Sequence, residues 1–107
     1  MSKVKAVHQI DREQILNEVK QTIMPAFVGF NARIYLFGSW ARQEERISSD
    51  IDVVIESDEE IPYFLFVQTR DALEESLIPY HVDLVYLQEA SESLKDEVRR
   101  KGILWKD

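Results

Sequence analysis

The chain contains no cysteine, so disulfides and thiolate metal sites are both excluded, and a reducing cytoplasm is the setting this fits. Only three glycines and three prolines are present, and they gather into no linker, low-complexity stretch or repeat. No apolar run approaches the length of a membrane span. Met1-Ser2-Lys3-Val4-Lys5 leads into polar sequence, not into the apolar region of a signal peptide. Basic residues are also in deficit: 13 Lys and Arg against 20 Asp and Glu give a net charge of −7. That balance opposes direct nucleic-acid binding and suits a basic protein partner.

What is present is the composition of a globular protein. The 107 residues are 45% hydrophobic and 31% charged, which implies one domain spanning 1–107 with a modest core. A catalytic core plus a separate substrate domain would need a longer chain.

Periodicity then divides the chain. Ile15, Leu16, Val19, Ile23 and Met24 have helical spacing within Asp11–Met24, with Asp11 as a candidate N-cap and Pro25 and Gly29 closing the helix. Ala32–Phe37 reads as a strand running into Gly38-Ser39, followed by a short helix over Ser39–Gln43 and a charged loop over 44–49. Asp50–Glu56 is a second strand. Acidic residues and Pro62 introduce a helix over Tyr63–Leu77. Pro79 breaks it, and His81–Leu87 is a third strand. Ser91–Lys101 is a final helix stopped by Gly102, and Ile103-Leu104-Trp105 is an apolar tail able to fold back on the sheet. The order is α-β-α-β-α-β-α.

One spacing carries chemistry. Gly38-Ser39 is followed, ten residues on, by Asp50-Ile51-Asp52. Four fixed positions of this kind arise by chance in roughly one chain per thousand of this length. Glycine lets backbone N–H groups approach phosphate oxygens, and serine adds a hydroxyl. Carboxylates at i and i+2 of a strand point to one face, where they can hold divalent metal against a triphosphate. Without the turn, the same pair reads equally well as two solvated acids on a half-buried strand.

The stretch Ile34–Arg42, then Ser49-Asp50-Ile51-Asp52, resembles the minimal nucleotidyltransferase (MNT) family of the DNA polymerase β-like superfamily, whose signature is G-S-x10-D-x-D. Ala41-Arg42 and Ser49 also match that family, whereas Gln43 stands where its members often carry glycine. The resemblance implies an α/β (α+β) fold, a small mixed β-sheet with helices packed mainly on one face. It implies Asp50 and Asp52 as ligands of Mg2+, two ions in all, with Asp83 as a third acid able to ligate metal and to accept the proton of the attacking hydroxyl. Gly38 and Ser39 would bind the phosphates of ATP. Arg42 could reach the triphosphate, or pair with Glu44 or Glu45 at the surface. Asp83 also stands out by itself, as an acid within the apolar run His81–Leu87.

Other residues take a plainer reading. His8 and His81 sit in no ligand constellation. Trp40 fits packing as well as base stacking. Ser49 either orients Asp50 or serves the loop. Tyr63-Phe64-Leu65-Phe66-Val67 reads mainly as core, although five consecutive apolar residues cannot share one face of a helix; any left outside would mark a partner surface.

In the MNT family the partner is typically a HEPN-domain RNase toxin. The resemblance therefore implies an antitoxin that transfers AMP from ATP to a toxin tyrosine. Two alternatives stand beside it: a binding-only antitoxin that occludes its toxin, and nucleotidyl transfer to a small molecule. The intact acids argue against the first.

Overall fold

A computed structural model describes residues 11–106; His8 and the polar start at Met1–Lys5 lie outside the described residues. Helix α1, Asp11–Phe27, buries Leu16, Val19, Ile23 and Phe27 at steps of three and four residues. Pro25 does not end it. Lacking an N–H, proline removes one bond to the preceding turn, but it sits on the exposed side and the helix continues to Phe27. Asp11 is itself helical, so it is no cap.

Strand β1, Ala32–Phe37, has the expected bounds and ends in a 3-10 turn over Gly38–Trp40. The expected α-helical piece over 39–43 is replaced by this tighter turn. Its bonds run from the Ala41 amide to Gly38 O (3.0 Å) and from the Glu44 amide to Ser39 O (2.9 Å). Strand β2 covers Ile51–Ser57, helix α2 Tyr63–Glu74 and strand β3 Val82–Tyr86. Asp50 thus lies just ahead of β2, and α2 stops three residues short of Leu77. Helix α3, Glu92–Lys101, is capped by the Ser91 hydroxyl, which accepts from the Leu94 amide (3.1 Å). Gly102 follows with φ −73°; a Cβ there would press on the Val98 carbonyl at 2.7 Å, so close approach and not handedness calls for glycine.

The apolar tail is a strand. β4, Ile103–Lys106, pairs antiparallel with β1 and completes a mixed sheet of order β3-β2-β1-β4. β1 and β2 are antiparallel, β2 and β3 parallel. Alternation along the strands makes two cores. Ile34, Leu36, Val53, Ile55 and Leu84 face α1 and α2, with the Phe27 and Phe66 rings 5.2 Å apart between those helices. Tyr35 and Val54 face the other way, toward Val98 of α3. Two of the three α-helices among the described residues therefore share one face, as expected. α3 covers the opposite face only toward the Glu56 end, where Arg99 of α3 bonds that carboxylate. The other end of that face is where β1 finishes and β2 and β3 begin.

Candidate active site

At that end three strands set their residues side by side. Phe37 of β1 is the register partner of Asp52, and Asp52 is the register partner of Asp83. Parallel neighbours in register project side chains to the same face, with strands about 4.8 Å apart. Asp52 and Asp83 therefore stand together on the face that α3 leaves open. Asp50 precedes Asp52 by two residues and is exposed. Its charge reaches Asp52 all the same.

Asp52 is half-buried, and its carboxyl is held above the ordinary carboxylate range. Burial is the first cause; the negative charges of Asp83 and Asp50 are the next, and Arg42 and His81 oppose them. This is the electrostatic state of a carboxylate cluster that a cation would relieve. Among the described residues no group of three His, Asp or Glu side chains forms a ready metal cage. Mg2+ does not require one, since it usually takes one or two carboxylates and completes its shell with phosphate oxygens and water. The hard oxygen donors of Asp52 and Asp83, with Asp50 adjoining, fit that demand.

The Gly-Ser turn abuts the same carboxylate. Gly38 has φ +77°, and a Cβ built on it would collide with Asp52 Oδ2 and lie 3.3 Å from Asp52 Cγ. Glycine is required twice over, by backbone handedness and by the acid beside it. Ser39 is the second residue of the 3-10 turn, whose first N–H groups lack partners within the turn itself.

The remaining sequence candidates separate. Arg42 pairs with Glu44 at 3.0 Å, both exposed, so the surface ion pair is formed while its charge still acts on Asp52. The Ser49 hydroxyl accepts from the Arg46 amide (2.8 Å) and serves the loop. Trp40 is buried, with its ring edge-on to Tyr80 at 5.0 Å and its indole N–H donating to Ser49 O (3.4 Å). Packing accounts for it. Arg12 ties this loop to α1 by donating to the Trp40 carbonyl and to Glu45 (3.1 Å).

Two features escaped the sequence. His81 is exposed and two residues before Asp83, so strand alternation points it to the acids' side; that even spacing was the available signal. Glu56 is 8% exposed at the far end of β2. It accepts from Arg33 (3.0 Å), Tyr35 (3.2 Å) and Arg99 (2.7 Å). Nothing in local sequence links those residues. Gln43, the one departure from the family pattern, has φ +60°, the left-handed region.

A cavity of about 420 Å3 opens beside the acids, with Asp83, His81, Tyr80, Arg70 and Glu74 in its wall. A larger one, about 620 Å3 between α1 and β4, is lined by none of the three acids.

Comparison with known proteins agrees with this geometry. The sequence model of the family described as "Polymerase beta, Nucleotidyltransferase" matches residues 30–106, which span the turn and all three acids. A protein of Methanocaldococcus jannaschii described as a protein adenylyltransferase is 30% identical over 89 residues, 82% of this chain and 95% of that one. A solved structure described as a minimal nucleotidyltransferase superposes with a TM-score of 0.71 at 26% identity, covering 89% of this chain and 96% of the other. A toxin–antitoxin crystal structure with AMP-PNP gives a TM-score of 0.63 at 26% identity, over 89% of this chain and 73% of its own.

Proposed function

The chain belongs to the polymerase beta nucleotidyltransferase family and is a nucleotidyltransferase; on that premise we propose that it transfers AMP from ATP to a tyrosine hydroxyl of a HEPN-domain toxin and acts as its antitoxin. The observation that carries this reading is the row Gly38, Asp52, Asp83 across adjoining strands. The description of the archaeal relative as a protein adenylyltransferase supports a protein acceptor, and the toxin–antitoxin relative with AMP-PNP supports an adenine nucleotide and a toxin partner.

In the reaction the acceptor oxygen forms a new bond to the α-phosphorus. The bond from that phosphorus to the α,β-bridging oxygen breaks, and pyrophosphate leaves with the oxygen and its electron pair. Asp50, Asp52 and Asp83 would hold Mg2+, which when bound neutralises charge on the phosphate and leaving-group oxygens. Gly38 and Ser39 hold the β- and γ-phosphates through backbone N–H groups and the serine hydroxyl. Asp83, on the outer strand, takes the proton lost by the acceptor. Arg42, whose charge already acts on Asp52, reaches the triphosphate by leaving its exposed pair with Glu44.

The same proposal takes residues 1–107 as a single nucleotidyltransferase domain in the cytoplasm. No helix among the described residues is long and apolar enough to cross a membrane. The net charge of −7 disfavours direct nucleic-acid binding.

The test is intact-mass spectrometry of the HEPN-domain partner after incubation with MgATP and either wild type or the Asp50→Asn/Asp52→Asn variant. AMP-sized additions with wild type alone, mapped to tyrosine, are expected. A bound partner that stays unmodified in both samples, yet is no longer toxic, would replace transfer by occlusion.

A further inference from the structure

β3 carries Asp83 and, among the described residues, pairs with β2 alone, because it lies at the edge of the sheet. Two hydrogen bonds fix the direction of its backbone groups. The His81 carbonyl accepts from the Ile51 amide of β2 (3.0 Å) and so points inward. The Leu84 carbonyl accepts from the Arg70 guanidinium (2.9 Å) and so points away from β2. Alternation then turns the amides and carbonyls of Val82, Leu84 and Tyr86 outward, the Leu84 carbonyl alone among them being held by Arg70. Such a row is a template for an added strand.

One stripe of α2 runs beside this edge. Tyr63, Val67, Arg70 and Glu74 follow each other at steps of four, three and four residues, which is a single helix face. Tyr63 and Val67 are apolar yet 65% and 41% exposed. Arg70 and Glu74 wall the cavity beside Asp83. At the far end of the strand, Tyr63 and Tyr86 wall a second cavity of about 360 Å3. The two cavities thus lie at the two ends of β3, joined by the same helix face.

Access to the acids is one-sided. On one flank of the Asp52–Asp83 pair stand β1 and the Gly38 turn, which is assigned to the triphosphate. On the other flank stand the outer edge of β3 and the cavity walled by Arg70, Glu74 and Tyr80.

We propose that this open edge, together with the Tyr63–Val67–Arg70–Glu74 stripe, is the docking track for the acceptor protein. An extended segment of the acceptor adds alongside β3 and sets its hydroxyl side chain beside Asp83. The inference rests on the transfer reading above and assigns where its protein substrate binds. Partner residues in register share a face, so the acceptor residue opposite Asp83 projects onto the acid face. An apolar side chain elsewhere on the segment fills the cavity at Tyr63 and Tyr86. Glu60, Glu74 and Glu89 line the two cavities, so the segment carries basic residues beside its apolar and hydroxyl ones. The net charge of −7 favours the same partner.

Hydrogen–deuterium exchange of the complex with the HEPN-domain partner reads the docking, and modification of that partner by MgATP reads the transfer. Expected are slowed exchange at residues 82–86 and 63–67, and a KM for the partner raised about tenfold or more by Tyr63→Asp/Val67→Asp. Affinity for ATP should be unchanged, and Ile103→Asp, exposed to a similar degree but on β4 at the opposite edge of the sheet, should leave the KM unaltered. Transfer by wild type without protection of β3 and α2 would overturn the docking track and leave the activity standing. Protection without transfer would overturn the activity and leave the track. A double variant that modifies the partner as well as wild type does would overturn the track, as would a free small hydroxyl compound outcompeting the protein as acceptor.

Discussion

The Asp52 carboxylate occupies the space that a side chain at position 38 would need. The Gly-Ser turn and the Asp-x-Asp strand are therefore one structural unit: the candidate phosphate-binding turn is packed directly on a candidate metal ligand. Gly38→Ala forces either the turn or the carboxylate to move, and the left-handed φ adds about 1–2 kcal/mol of backbone strain. Nucleotidyl transfer should fall by roughly 10²-fold or more, and the variant should melt below wild type. Transfer assays with paired thermal melts check both.

Asp52→Asn separates catalysis from stability. Burial and the charges of Asp83 and Asp50 raise the Asp52 carboxyl above its ordinary value of 3.8. The folded state then binds its proton more tightly than the unfolded chain, so stability is lost as pH rises through the raised value. Asparagine removes that loss. In the absence of metal and nucleotide the variant should melt above wild type at neutral pH, while transfer is abolished. A variant less stable than wild type at pH 7 would contradict the electrostatic account.

Gln43→Gly should be tolerated or stabilising. Gln43 holds φ +60°, a conformation that costs a residue with a Cβ about 1–2 kcal/mol and glycine little. Glycine gives back roughly 0.5–1 kcal/mol through the freedom of the unfolded chain, so the expected net gain is about 0.5–1 kcal/mol. Gln43→Val should destabilise. Urea midpoints of the three proteins decide it. The same strain gives a physical reason for the glycine that the resembling family often carries here.

Glu56 governs the acid limb of stability. Burial alone would raise its carboxyl, but the bonds from Arg99 and Arg33 outweigh burial and hold it below 4.5. The unfolded chain binds the proton more tightly here, so the contribution is complete above about pH 4.5 and is lost as pH falls through the depressed value. Glu56→Gln should lower stability at pH 7 and flatten the loss between pH 4.5 and strong acid. Melting temperatures across that range, for variant and wild type, test the sign.

Much of this architecture was legible because it depends on local pattern. Ala32–Phe37 is an apolar run that ends at glycine, and α1 declares itself through Leu16, Val19 and Ile23. Asp50 and Asp52 announce a shared face by their even spacing. Local signals fail where a residue's place in the whole structure decides. Pro25 ends a helix in isolation, yet sits harmlessly on the exposed side of α1. The Tyr63–Val67 run read mainly as core, but only Phe66 among those five is fully buried, and Tyr63, Phe64 and Val67 face outward.

The sequence by itself determined the chemistry on offer: a flexible turn, three acids on strand-like segments, no thiol and a surplus of negative charge. Those are properties of residue type and spacing, carried in any conformation. Only the tertiary structure decided that Asp83 stands beside Asp52, that Gly38 packs on the same carboxylate, and that β3 has a free edge. These relations join residues 14 to 31 positions apart. Strand order and register bring them together, and both follow from how the two cores pack on opposite faces of one sheet.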